Sequence, residues 1–453
     1  MFDLQIRNAT VITLDPKNRV IRNGAIGIER NRIVAIGPTS ELDGFGSVET
    51  IEANENIVVP GLINSHTHLF QTFSRGLGDD APLFEWFRRA IAPFAAHLTE
   101  EDCYYSAILG CIEAIKSGTT CVNDFMYVHP RARLSDAIVK AMNDVGIRGI
   151  LCRGIVDAGR EHGLPDAIIQ ERKIAIEDCE RLIVQYNNPT QDMIRVWVAP
   201  ASLWMSSIEA FKESKKLADE YHTWITWHAS ETQAVVDSSI RKYGSRDTTL
   251  LNENGLLSDK AVAVHSVWLD DREISMLAKN GTKVAHCPVA NMYLADGIAP
   301  IPKMLEHGIP VGLGTDGSAG NNNLDMIAVM KTAALLQKVF SLDPTIITAP
   351  EVMRMATLDG ARTLGLENKI GSIEVGKKAD LVLINLKKPN TIPTYNPISS
   401  IVYAANQENV ESVIIDGKVV MRNRKMLAVD ETDIMEKASQ LAHSLSEKSV
   451  RSV

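Results

Sequence analysis

Eight short apolar runs, each followed by a longer stretch of helical periodicity, constrain this chain more than any other feature. They are IVVPGLINS at 57–65, TTCVND at 119–124, RGILCRGI at 148–155, IRVWVAP at 194–200, WITWHA at 224–229, VAVHS at 262–266, TKVAHC at 282–287 and PVGLGTD at 310–316. Strands covered on both faces read as continuous apolar runs, and strand–helix alternation is how parallel sheets are built. Eight such units predict an α/β fold, a (β/α)8 barrel whose active site lies where the strands reach their carboxyl ends. The competing architecture is an open doubly wound sheet, and the phosphate-cradling motif G-x-x-x-x-G-K-[ST] that would favour it is missing from the sequence.

Both ends of the chain have a different texture. The first ~55 residues alternate with period two, as in LQIRNATVITLD and GAIGIERNRIVAIG. The pattern returns in ADLVLINL at 379–386 and in VESVIIDGKVVMRNRKML, with a tight turn at Asp416-Gly417. Neither piece can bury both faces of a sheet alone, so the two are expected to pair into one small β domain. The expected organisation is residues 1–57 and 370–428 in that domain, 58–369 in the barrel, and 429–453 as a terminal helix.

Charge and cysteine usage narrow the partners. Forty-seven Lys+Arg against 56 Asp+Glu give a net charge of −9, with no basic stripe. A polyphosphate partner would demand one, so nucleic acid is excluded as the main ligand. No basic segment followed by an apolar one opens the chain, and no apolar run approaches the ~18 residues that span a bilayer. The six cysteines are scattered without a C-x-x-C pair, which reads as reduced thiols in a cytoplasmic protein.

The polar residues at the ends of the apolar runs carry the chemistry. His66 and His68 in NSHTHLF stand two apart, so both imidazoles face one side of the first strand. His228 ends the fifth run, His265 the sixth and Asp316 the eighth. Neutral imidazoles with one carboxylate suit Zn2+, with Fe2+ as the alternative. Glu231, three residues after His228, can reach an activated water without ligating the ion, and so act as general base and then general acid.

The stretches VVPGLINSHTHLFQT, WHASET, VAVHSVWL, HCPVANMYL, GLGTDGSAGNNNLDM and IGSIEVGKKADLVLIN resemble the amidohydrolase superfamily over essentially the whole chain. Specifically they resemble its branch of aminohydrolases and chlorohydrolases, which includes atrazine chlorohydrolase, melamine deaminase, guanine deaminase and adenosyl-nucleoside deaminases. The resemblance implies a distorted (β/α)8 TIM barrel with a small β-sandwich domain formed by both termini, one divalent metal ion and a homo-oligomer, dimer or higher. It matches His66, His68, His228 and Asp316 to the metal ligands, His265 to the histidine that holds water and substrate, and Glu231 to the proton shuttle, with Asp316 also catalytic in orienting the attacking water beside His265. Gln71, Phe84 and Trp86 fall where the branch contacts a flat heterocycle. WVAPASLW offers no lysine to bridge two metals, which favours one ion. His286 is expected to be structural, and His97, His129, His162, His222, His307 and His443 to occupy surface or helix positions.

The implied reaction is hydrolytic deamination of an amino-substituted N-heterocycle, a small-molecule substrate, by a metal-activated water. Nucleoside-deaminating relatives carry a glutamate about nine residues beyond the loop tryptophan, where this chain has Ala95. That absence favours a free purine, pterin, pyrimidine or s-triazine ring. The alternatives are dechlorination or dealkylamination of an s-triazine-like ring, or deamination of an adenosine-type nucleoside. Gly320 replaces the more usual serine after Asp316, so triazine contacts are not carried over directly.

Overall fold

The computed structural model describes residues 1–188 and 192–450. Eight strands form one parallel sheet in chain order: β1 (Leu62–Thr67), β2 (Thr119–Met126), β3 (Arg148–Ile155), β4 (Ile194–Pro200), β5 (Ile225–Ala229), β6 (Ala261–His265), β7 (Lys283–His286) and β8 (Val311–Leu313). Nearly every residue in them is buried, as the unbroken apolar runs require when helices cover one face and barrel side chains the other.

The barrel closes irregularly. β8 is shorter than its apolar run because, beyond Gly314, whose N–H still donates to the His286 carbonyl of β7 (2.9 Å), Thr315 and Asp316 bond to β1. Asn64 Nδ2 donates to Thr315 Oγ1 (2.7 Å), Thr315 N donates to Asn64 Oδ1 (3.0 Å) and Asp316 N donates to the His66 carbonyl (3.0 Å). The glycines of GLGTDG permit this approach. A Cβ on Gly312 would stand 2.2 Å from Ser65 Oγ, and one on Gly317 would stand 2.0 Å from Gln71 Oε1. Their spacing also fits a dinucleotide loop, but here they pack strand against strand. The consequence is local: Asp316 is delivered beside His66.

The two ends of the chain share a nine-stranded sheet. Ile57–Pro60, just before β1, pairs antiparallel with Leu381–Ile384, in register Pro60 to Leu381. Leu4, Ile6, Ile26, Ile28 and Ile33 from one end share an apolar cluster with Ile373, Leu381, Leu383 and Ile414 from the other. The hairpin of Val410–Ile415 and Lys418–Arg422 turns at Asp416 (φ 50°) and Gly417 (φ 78°). Gly417 is required there, since a Cβ would lie 2.2 Å from the Arg30 carbonyl oxygen.

One buried ionic cluster joins barrel and sheet. Arg148, the first residue of β3, is 3% exposed and donates to both carboxylate oxygens of Asp380 (2.8 and 3.1 Å) and to Asp416 (3.3 Å). Asp416 also holds Lys378 at 3.0 Å. The helix Glu431–Val450 packs against Glu100–Lys116, with Lys437 paired to Glu101 at 3.0 Å. No described helix is long and apolar enough to cross a membrane, and all six cysteines are buried and unpaired.

Candidate metal centre and active site

His66 lies within β1 and His68 immediately follows it, so the strand's period of two brings both rings into the barrel mouth. His68 Nδ1 donates to the Phe125 carbonyl (2.6 Å) and His228 Nδ1 to the Ala201 carbonyl (2.7 Å). In the tautomers these bonds select, each ring turns a lone pair at Nε2 inward. The two Nε2 atoms face each other at 3.3 Å with no proton to share. Two nitrogens holding one ion at roughly 2.0–2.1 Å with tetrahedral angles stand about 3.3 Å apart. Asp316 Oδ1 lies 3.2 Å from His68 Nε2 and 3.4 Å from His66 Nε2, which has no hydrogen-bond partner. An arrangement of facing lone pairs around a carboxylate fits a divalent cation.

Electrostatics support that fit. Burial pushes the His66 pKa down to about 3 against the opposing pull of Asp316, and lowers that of His228 well below the ordinary histidine value. Both are therefore neutral donors. The surrounding imidazoles hold the Asp316 carboxyl well below its usual range despite its burial.

His265, at the end of β6, has its Nδ1 bonded to Asn291 Oδ1 (2.9 Å), and its Nε2 stands 3.5 Å from Glu231 Oε1. Glu231 is 5% exposed; burial first, then the charge of Asp316, raises its pKa to about 8. Its loop is anchored by Asp247, which accepts from Ser230 N and Ser230 Oγ, both at 2.6 Å. Ser230, His265, Ser266 and Asp316 all adopt positive φ, between 43° and 63°. Each such residue costs on the order of 1–2 kcal/mol, a strain that concentrates where geometry serves function.

Above these groups is a cavity lined by Leu83, Trp86, Phe87, Tyr127, Trp204 and Leu294 among others. Trp86 is fixed by its Nε1 donating to the Ala319 carbonyl (2.8 Å). Phe84 stands further out, stacked on His162 at 4.9 Å. Gln71 donates to the Tyr127 hydroxyl (2.9 Å), and it is the tyrosine that lines the cavity. A Cβ at Gly320 would sit 3.4 Å from Asp316 Oδ2 and 3.9 Å from Trp86, so this glycine packs beside two residues of the cavity wall. Ala95 is fully buried in the turn Ala92–Ala95.

Sequence reasoning missed Tyr127, Ser202, Trp204 and Leu294, along with Asn291 and Asp247 that orient His265 and Glu231. It also missed Asp124, buried in β2, which accepts from Leu69 N (2.6 Å) and whose pKa burial raises to about 7. The only signal for Asp124 was its place at the end of the second apolar run, TTCVND. One histidine expectation needs correction. His129 is not on the surface but buried, bonded to Ser135 Oγ at 2.9 Å, because the loop after β2 folds inward. His162 holds a helical position as expected, in the short turn Arg160–His162, half-buried between Phe84 and Trp204. His286 is buried with both ring nitrogens unpartnered and joins neither convergent group of ligand atoms.

The family model of the amidohydrolase family matches residues 57–420. A 5'-deoxyadenosine deaminase of Methanobrevibacter smithii is 40% identical over 450 residues, covering 99% of this chain and 100% of the relative. A 5-methylthioadenosine/S-adenosylhomocysteine deaminase of Syntrophobacter fumaroxidans is 38% identical over 445 residues, 98% of each chain. Among solved structures, an adenosine deaminase from Xanthomonas campestris with bound zinc superposes with a TM-score of 0.92 at 32% identity, over 98% of this chain and 99% of that one. An atrazine chlorohydrolase from Arthrobacter aurescens complexed with zinc gives 0.90 at 26% identity, over 97% and 100%.

Proposed function

The chain belongs to the amidohydrolase family, and from that premise and the geometry of its barrel mouth we propose that it hydrolytically deaminates an adenosine-type nucleoside. The observation that carries the reaction type is the pair of facing Nε2 atoms beside Asp316, with the buried carboxyl of Glu231 next to His265. The full-length likeness to deaminases of 5'-deoxyadenosine and of 5-methylthioadenosine supports the nucleoside. The free ring expected from Ala95 gives way to that alternative: a missing carboxylate at one buried position does not empty the cavity of other acceptors.

In this reading His66, His68, His228 and Asp316 hold one divalent cation, Zn2+ in preference to Fe2+. Such an ion supplies Lewis acidity, lowering the pKa of water from 15.7 towards ~7. The chain's own residues do the rest. His265, with Nδ1 engaged by Asn291, presents Nε2 to orient water and substrate. Glu231 takes a proton from the attacking water and passes it to the ring nitrogen beside the amino-bearing carbon. The water oxygen bonds to that carbon, its second proton passes through Glu231 to the amine, and the C–N bond breaks to release ammonia and leave a ring carbonyl. A carboxyl with a pKa near 8 can both hold and release a proton at neutral pH. The aromatic walls of Trp86, Phe87 and Trp204 suit a flat base and exclude bulk water.

The test is a panel of adenosine-type nucleosides with amino- and chloro-substituted purines, pterins, pyrimidines and triazines, offered to metal-loaded protein while ammonia and chloride are assayed together. Ammonia from the nucleosides, lost in Glu231→Gln, is expected. Ammonia from free rings alone, or chloride without ammonia, overturns the reading.

A further inference from the structure

Asp296 is a buried carboxylate that the mechanism above does not use. It follows β7, in the wall of a recess lined by Leu83, Phe84, Arg88, Thr232 and Leu294. Leu83 and Leu294 line both this recess and the cavity over the imidazoles, so the two adjoin. The backbone at Asp296 is tightly held. Its N–H donates to the Asn291 carbonyl (2.8 Å) and its carbonyl accepts from Trp268 Nε1 (2.6 Å). Ala295 (φ 54°) and Gly297 (φ 125°) flank it in the left-handed region.

Its side chain is the opposite case. Only 3% of the residue is exposed, yet neither carboxylate oxygen has a hydrogen-bond partner, and Arg88 across the recess makes none. Burial, and next the charge of Glu231, pushes its pKa well up. A buried carboxyl without a donor carries a large desolvation penalty and is rare in a folded chain. A backbone fixed on both sides around an unpartnered acceptor, at the edge of the substrate cavity, is a position built for a donor that arrives with the substrate.

The substrate's chemistry says which donor. A 5'-deoxyadenosine-type nucleoside has hydrogen-bond donors only at its exocyclic amine and at its 2' and 3' hydroxyls. The amine is the leaving group and belongs beside Glu231, which leaves the diol. We propose that Asp296 is a specificity-determining residue that accepts hydrogen bonds from the ribose hydroxyls of the nucleoside, an inference that rests on the nucleoside reading above.

The experiment compares kcat and KM for adenosine, 2'-deoxyadenosine and 3'-deoxyadenosine in the full-length, metal-loaded enzyme and in Asp296→Ala and Asp296→Asn. Wild type should lose about 10- to 100-fold in kcat/KM, mostly through KM, when the engaged hydroxyl is missing, the cost of leaving a buried acceptor without its donor. D296A should lower adenosine turnover by a similar factor and leave the corresponding deoxy analogue nearly unchanged, with D296N between them. Equal losses on all three substrates, or a wild type indifferent to both hydroxyls, overturns the inference while leaving nucleoside deamination standing. A wild type indifferent to both hydroxyls decides against the inference even if a variant fails to fold, and the isosteric D296N carries the assignment where D296A does not fold. Turnover of free adenine with none of the nucleosides overturns the nucleoside reading and this inference together.

Discussion

Glu231 is required to keep a proton at a pH where an exposed glutamate has lost it. With a folded pKa near 8 against an ordinary value of 4.5, the folded protein binds more protons than the unfolded chain between those values. Stability attributable to this group therefore falls as pH rises through that window. Glu231→Gln, which has no charge to bury, should exceed the wild type in melting temperature by a margin that widens from about pH 5 to about pH 8 in chelator-treated protein. Calorimetry across that range checks it, and a constant margin would refute it. The same variant should lose roughly 10²–10⁴ in kcat, the usual worth of a positioned acid–base group. Asn291→Leu, which removes the acceptor from His265 Nδ1, should cost about 10- to 100-fold in kcat/KM while the fold persists by circular dichroism. The residues that meet at the barrel mouth were legible one by one, because a polar residue ending an apolar run is conspicuous. Asn291, Asp247 and Asp296 were not, since they sit in two short helices and a loop beyond the strands, where their importance comes from what a distant strand end places opposite them.

At the scale of elements, the most exacting joint is between β3 and the terminal sheet. Arg148 is desolvated with Asp380 and Asp416, and the Asp416 backbone N–H also donates to Asp380 (2.8 Å). Removing one partner of such a cluster strands the other charge, so Arg148→Met should destabilise the protein by about 3–5 kcal/mol, read from urea denaturation. Arg148→Met with Asp380→Leu should recover much of that loss, and failure to recover any would mean the cluster is not the cause. The strands themselves were readable to within a few residues, because burial on both faces leaves an apolar run that turn residues delimit. The exception is β8, where glycine-permitted contact with β1 takes Thr315 and Asp316 out of the ladder, an interaction between residues some 250 positions apart. His129 misled for a related reason: a short loop carries no periodicity to say whether it faces water or the core.

For the molecule as a whole, an ion that binds only the folded state adds to its stability by mass action. Chelation should lower the melting temperature and added Zn2+ should restore it, by the equivalent of about 2.7–4.1 kcal/mol at 100- to 1,000-fold saturation. His68→Ala should melt at a temperature indifferent to Zn2+, and a wild type equally indifferent would argue against a metal centre. That the two ends associate was foreseeable from their shared alternation, but their register was not, since period two leaves sliding by two residues open. The closed circuit of the chain also has a bearing on how it is made. Ile57–Pro60 acquires its antiparallel neighbour only with Leu381–Ile384, about 320 residues further on. At a synthesis rate of roughly 5–20 residues per second, that edge waits some 16–65 s on the ribosome with its backbone amides and carbonyls unsatisfied. A nascent chain of this architecture therefore passes through a stage in which its barrel is largely translated while its first sheet is still open to strangers.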